Sequence, residues 1–251
     1  MTVSDRVNDL IFHPKISNSL RVLATTIGRD KTYRAIQYFS RFYAYILIRN
    51  GFNTHGHRWA ALKSALAMGR KLLRLFKPFE HLQLAMNSAQ VSNGHKFEKW
   101  TAVARQLSYA GYLTFDGIVW ANGIRFLTLD PVHTVRANLI AQRFWMAGII
   151  LSVANGIVKI NRHASSLKEL RKANSSEKAD VPEDVAYELQ ALSRDHSAIR
   201  YQLVMDVFDF WLPASNLGYV HVNEGLCGIL GFISSVMALR LQWAAAANKK
   251  V

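Results

Sequence analysis

The chain is 251 residues long, half of them hydrophobic and 19% charged, with a formal net charge of +14 and one cysteine. A single cysteine excludes an intrachain disulfide framework. So many apolar residues beside so many cations suit lipid-facing helices and anionic headgroups better than an ordinary soluble domain. A nucleic-acid partner would also suit the charge but leaves an apolar C-terminal half unexplained, so no such partner is expected.

The first ten residues hold Asp5, Arg6 and Asp9 without an apolar core, and no secretory signal is expected there. Asn248 to Val251 is neither a Ser-Lys-Leu address nor an ER-retention tetrapeptide, so any targeting signal is expected to be internal. Helical periodicity dominates the rest, with little period-2 alternation. It predicts helices over residues 3–12, 16–27, 30–49, 55–86, 96–129, 132–172, 183–212 and 216–246. The breaks are marked by Pro14, Asn50-Gly51, Ser92-Asn93-Gly94, Asp130-Pro131, the polar run from Asn174 to Pro182, and Pro213. Residues 1–106 carry a net charge of +12 and residues 107–251 only +2. Two regions are therefore expected: a basic N-terminal helical region over 1–106 and a membrane-embedded one over 107–251, with a polar linker near 172–184. The basicity places the first region on the cytosolic side if the positive-inside bias holds.

The most distinctive predicted element is Leu62 to Phe79, LKSALAMGRKLLRLFKPF. At about 100° per residue from Leu62, Lys77, Arg70, Lys63 and Arg74 fall between about 60° and 120°, and Lys71 near 180°. Leu66, Met68, Leu72, Leu73, Leu75, Phe76 and Phe79 fill the opposite half of the wheel, and no acid appears before Glu80. Basic Lys63, Arg70, Lys71, Arg74 and Lys77 against apolar Leu66, Leu72, Leu73, Phe76 and Phe79 make a helix suited to the headgroup plane of an anionic phospholipid membrane. A surface helix packed on its own domain has the same pattern, apart from its missing acids. Pro78 is expected to kink or end this helix.

Three later stretches are apolar enough to consider as spans, which need about 20 mostly apolar residues. Leu107 to Leu129 carries Asp116 and Arg125 and is the weakest, since a central charge costs at least ~2.5–3.5 kcal/mol. Ala137 to Val158 has only Arg143, and Leu217 to Leu239 only Glu224 near its start. Core helices of a soluble bundle would read similarly. Gly148, Ser152 and Gly156 form a stripe of small residues every fourth position, and Gly225, Gly228 and Gly231 form another, each suited to close helix packing in membrane. Trp100, Trp145 and Trp243 lie near segment ends, where interfacial aromatics sit. Asp206 and Asp209 share one helical face in apolar surroundings; they are candidates for pairing with an arginine such as Arg125 or Arg143, or for a polar pathway. The fold expected from all this is an all-α helical membrane protein with an N-terminal amphipathic-helix region and C-terminal hydrophobic helices.

Two strings in this chain carry a resemblance. Asp30 to Leu47, DKTYRAIQYFSRFYAYIL, and Arg70 to Gln83, RKLLRLFKPFEHLQ, are similar in order and spacing to the signatures of the peroxin-11 family of peroxisomal membrane proteins, in its fungal type. The resemblance implies a protein that binds and curves the peroxisomal membrane to drive elongation, proliferation and fission. It implies self-association into a homo-oligomer, and action upstream of a dynamin-related GTPase and its tail-anchored fission adaptor. The family's remodelling helix corresponds to Leu62–Phe79. Tyr33, Tyr38, Phe39, Phe42, Tyr43 and Tyr45 then form a helix on which copies or other helices pack, or are ordinary core. The alternative function is a non-selective metabolite channel formed by oligomerised C-terminal helices. No phosphate loop, nucleophile elbow or Cys/His cluster is present, so no catalytic residue, metal or cofactor is expected and the chain is not read as an enzyme.

Overall fold

The structure, a computed structural model, describes residues 7–9, 11–91, 95–175 and 183–248, and among these it contains helix and no strand. The helices are α1 (Pro14–Ala24), α2 (Thr26–Arg49), α3 (Asn53–Leu72), α4 (Lys77–Gln90), α5 (Lys96–Gly123), α6 (Pro131–Ser175), α7 (Glu183–Asn216) and α8 (Glu224–Ala247). The all-α expectation is met. Part of the helix expected at 3–12, the break at 92–94 and residues 176–182 of the expected linker lie outside the described residues.

Local chemistry explains most of the ends. Pro14 opens α1 rather than merely interrupting the chain, and Thr25 caps α2 by accepting a hydrogen bond from the Gly28 amide at 2.9 Å. Gly51, with φ 84°, turns the chain between α2 and α3. Asp130 accepts a 2.8 Å bond from the His133 amide ahead of Pro131, and Asn223 accepts one of 2.8 Å from Leu226. Pro213 does not end its helix. It is buried inside α7, which runs on to Asn216 and closes with the Leu217 amide on the Pro213 carbonyl at 2.9 Å. The proline removes one ladder bond, from its own position to residue 209, and its complete burial offsets that loss.

The expected long helix over 55–86 is two helices. Its break falls over 73–76, earlier than Pro78, which sits at the second position of α4. A proline ring collides with the carbonyl four residues before it, here Arg74, so the turn ahead of it unwinds. The Arg74 and Leu75 amides take tighter three-residue bonds to Lys71 and Leu72, at 3.1 and 3.4 Å.

The chain forms two compact units. One is built from Met1–Leu75, Gly117–Thr128 and Gly218–Val251, the other from Phe76–Asp116 and Leu129–Leu217. Helices remote in sequence close each unit, and residue 106 lies within α5. In the first, α2 lies between α3 and α8. Phe39 and Tyr43 pack on Trp59 of α3 at 5.9 and 5.0 Å, and Phe39 also meets Phe232 of α8 at 5.7 Å. Tyr38, Phe42 and Tyr45 lie against Gly231, Gly228 and Gly225. In the second unit, α5 packs on α6 through stacked Phe115–Phe144 and Tyr112–Trp145, and α6 packs on α7. Gly148 admits the Tyr109 ring and Gly156 admits Leu203, so both small-residue stripes serve packing within this one chain. Trp145 is accordingly a packing residue on Tyr112.

Pro131–Leu170 of α6 and Glu224–Ala247 of α8 are long and apolar enough to cross a membrane. Only 28% and 39% of their most apolar windows are buried, where the core helix of a soluble bundle would be mostly covered. Leu107 to Leu129 is not a continuous helix, since α5 stops at Gly123 and Arg125 adopts a left-handed φ of 62°.

Candidate membrane-binding surface

Of the cations on α3, Arg70 turns inward and Lys63 finds an acid. Arg70 is only 6% exposed; its Nε donates to Asp30 Oδ1 at 3.0 Å and its Nη1 to Gln37 Oε1 at 2.7 Å. Lys63 Nζ lies 3.5 Å from Glu224 Oε2. That carboxylate is held by Arg41, which donates to its two oxygens at 2.9 and 2.6 Å. Arg74 Nε donates to the Arg70 carbonyl at 3.2 Å, and Lys71 is half-buried. In the second unit Lys77 pairs with Glu80 at 2.7 Å, one turn along α4. Burial alone would push the Asp30 carboxyl up. The cations Arg70, Lys31 and Arg74 outweigh that and hold it below its ordinary value, so Asp30 is an anion facing a buried guanidinium.

Arg70 therefore does not present its charge to headgroups as expected of it. No acid lies within 62–79, but Asp30 and Glu224 supply the missing negative charge from α2 and α8. The pairs differ in strength. The Arg70–Asp30 bridge is buried on both sides, and breaking it leaves Asp30 with the weaker 3.8 Å contact to partly exposed Lys31. The Lys63 and Lys77 pairs are exposed at the carboxylate and worth about 0–1 kcal/mol each.

The apolar residues of the segment differ in exposure. On α3, Leu72 is 52% exposed and Leu62 is exposed, while Leu66 and Leu73 are half-buried. In the second unit Phe76 is 80% exposed, Phe79 65% and Met86 64%. Phe79, Leu82 and Met86 fall within about 60° of one another on α4. The adjoining side of α4 is anchored by buried Ala85 and by His81, whose Nδ1 lies 2.7 Å from Gln106 Oε1 on α5. Burial holds the His81 imidazole below its ordinary value, so it is neutral at physiological pH. Leu82 and Met86 lie beyond the predicted segment. Their spacing from Phe79 is a usable signal in the sequence.

Asp206 is buried at the contact of α5, α6 and α7. Gln202 Nε2 donates to its Oδ1 at 2.8 Å, and the Ser152 hydroxyl bonds it. Arg105 lies close by, its Nη1 donating to Ser152 Oγ at 3.3 Å. Burial raises the Asp206 carboxyl, with Ser152, Gln202 and Arg105 only partly offsetting it. The nearby cation is Arg105, not Arg125 or Arg143, because α5 brings it beside Ser152. Asp209, one turn on, is half-buried. With Tyr109 on Gly148 and Leu203 on Gly156 alongside, Asp206 sits in a packed polar joint.

A family model described as peroxisomal biogenesis factor 11 (PEX11) matches residues 16–243. Peroxisomal membrane protein PMP27 of Saccharomyces cerevisiae is 26% identical, the match covering 94% of this chain and 98% of that protein. Peroxisomal biogenesis factor 11 of Schizosaccharomyces pombe is 22% identical over 92% of this chain and 96% of its own. Peroxisomal membrane protein PMP30A of Candida boidinii is 24% identical over 94% and 97%. No solved structure matches the chain. The matches run from α1 into α8 and take in both signature strings, so the chain belongs to the PEX11 family of peroxisomal membrane proteins involved in peroxisome biogenesis.

Proposed function

We propose that this protein curves the peroxisomal membrane, and so drives elongation, proliferation and fission, by wedging the exposed apolar side chains of α3 and α4 between the headgroups of the cytosolic leaflet. The observation that carries this reading is the exposure of Phe76, Phe79 and Met86. Fully burying one such side chain is worth about 1.5–3 kcal/mol, whereas a cation near an anionic surface contributes ~1 kcal/mol. With Arg70 committed to Asp30, apolar insertion supplies the larger share and the remaining cations steer. Insertion expands one leaflet relative to the other and favours curvature, and self-association concentrates the wedges. The +12 charge of residues 1–106 supports a cytosolic placement of this region. The lengthened membrane then becomes the substrate of a tail-anchored adaptor and a dynamin-related GTPase.

Full-length protein reconstituted at equal surface density into vesicles containing anionic phospholipid tests this. Wild type is expected to draw tubules. The triple variant Phe76→Ser/Phe79→Ser/Met86→Ser keeps its helicity, because these side chains are exposed, and loses at least ~90% of the tubules, as expected if several kcal/mol of insertion energy is removed. Tubulation equal to wild type overturns the reading.

A further inference from the structure

The second unit has another apolar face that the reading above leaves unused. It lies on the N-terminal half of α5. Phe97, Trp100 and Leu107 are exposed, Trp100 at 60%, with Ala104 between them. On a helix these four fall within an arc of about 80°. Lys96 is on the adjacent edge, about 20° beyond Leu107, and Lys99 follows it. The Lys99 ammonium reaches back over the Trp100 ring, 5.8 Å from its centroid. The acid of this turn, Glu98, points the other way, about 180° from Leu107. It is buried, and Arg162 of α6 donates to both of its oxygens at 2.8 and 2.9 Å. Asn155 of α6 fixes the same turn by donating to the Glu98 carbonyl and to Thr101 Oγ1, each at 2.7 Å. The face is thus rigidly presented, apolar along its centre, cationic along one edge and free of carboxylate.

We infer that Phe97, Trp100 and Leu107, with Lys96 and Lys99, form a second membrane-facing surface, lying flat at the level of anionic phospholipid headgroups. A large exposed tryptophan beside two lysines, one with its ammonium over the indole ring, is the arrangement of an interfacial helix. The charge selects an anionic surface. α5 is 28 residues long but is not among the helices apolar enough to cross a bilayer, as α6 and α8 are, and its exposed apolar residues lie along one side. The same unit carries exposed Phe76, just ahead of α4, and exposed Phe79 and Met86 on α4. Two apolar helix faces on one body spread insertion over a wider footprint than one helix can. This inference rests on the membrane-curving reading, because it assumes that the second unit meets a bilayer.

The test uses full-length protein carrying Cys227→Ala, reconstituted into anionic vesicles, with a spin label at one introduced cysteine in turn: residue 97, 100 or 107. Labels at residue 79 on α4 and residue 236 in α8 serve as references. Relative accessibility to oxygen and to a water-soluble nickel complex reads depth. Labels at 97, 100 and 107 are expected near the glycerol level, shallower than the label at 236. Lys96→Gln/Lys99→Gln shifts the label at 100 toward water, and no shift overturns the electrostatic part. Water-exposed labels on α5 with a lipid-exposed label at 79 overturn this inference alone. Water-exposed labels at both sites overturn the membrane-curving reading as well. Immobilised labels seen by neither reagent indicate a protein partner, and labels as deep as 236 indicate a spanning helix; either result overturns the inference.

Discussion

Arg70→Ala is expected to lower the thermal unfolding midpoint of the detergent-solubilised protein by about 6–20 °C. The substitution leaves Asp30 buried with a longer 3.8 Å contact to partly exposed Lys31 as its ion pair, a loss of up to about 3–5 kcal/mol, and a chain of this size loses about 2–4 °C per kcal/mol. Gln37 loses its 2.7 Å partner at the same time. Asp30→Leu/Arg70→Met removes both charges and is expected to recover most of the loss, as replacing buried ion pairs by apolar residues often does. The same pair sets an acid limit. The folded-state pKa of Asp30 is lowered, so its stabilisation is complete above the unfolded value of about 3.9 and disappears as pH falls through the lower folded value. Wild type should therefore lose stability below about pH 4 along a steeper curve than the double variant. Equal midpoints for wild type and Arg70→Ala would show that the bridge does not hold α3 to α2.

The second large effect belongs to Gly228→Val. A Cβ at Gly228 would lie 2.5 Å from the Phe42 backbone nitrogen and 2.7 Å from its Cα. Backbone cannot turn aside, so α8 must move off α2. The better helix propensity of most side chains over glycine returns at most ~1 kcal/mol, against about 1–3 kcal/mol or more for overpacking. At Gly225 and Gly231 the obstructing atoms belong to the Tyr45 and Tyr38 rings, which can rotate. Gly225→Ala is therefore expected to be milder than Gly228→Ala, and Gly228→Val the most damaging, with release of α8 from α2 seen as new protease cleavage after Asn216. A Gly228→Val protein as resistant as wild type would contradict the packing described.

Much of this fold could be read from the chain. Asn50-Gly51 and Asp130-Pro131 end and start helices where their turn chemistry says they should. The apolar runs in α6 and α8 marked the two span-length helices. Local rules misplaced the break near Pro78, because a proline disrupts the turn before it. They also overcalled Pro213, because buried packing holds α7 past a residue that would end an isolated helix. The surface was half legible. Periodicity identified the apolar side of Leu62–Phe79, a property of one helix alone. It could not show that Asp30, forty residues away, would claim Arg70, since such pairing depends on which helices meet. The small-residue stripes signalled close approach correctly; their partners, Tyr109, Leu203 and the aromatics of α2, are on helices that spacing cannot name.

The central claim is that lipid is met by apolar side chains of α3 and α4 while Arg70 stays inside the protein. Photo-crosslinking tests it most directly, using an anionic phospholipid with a diazirine in its acyl chain and mapping adducts on the reconstituted full-length protein. The account predicts adducts at Leu72, Phe76, Phe79 and Met86, and none at Arg70 or Asp30. Adducts confined to α6 and α8, with residues 72–86 unlabelled, would contradict it.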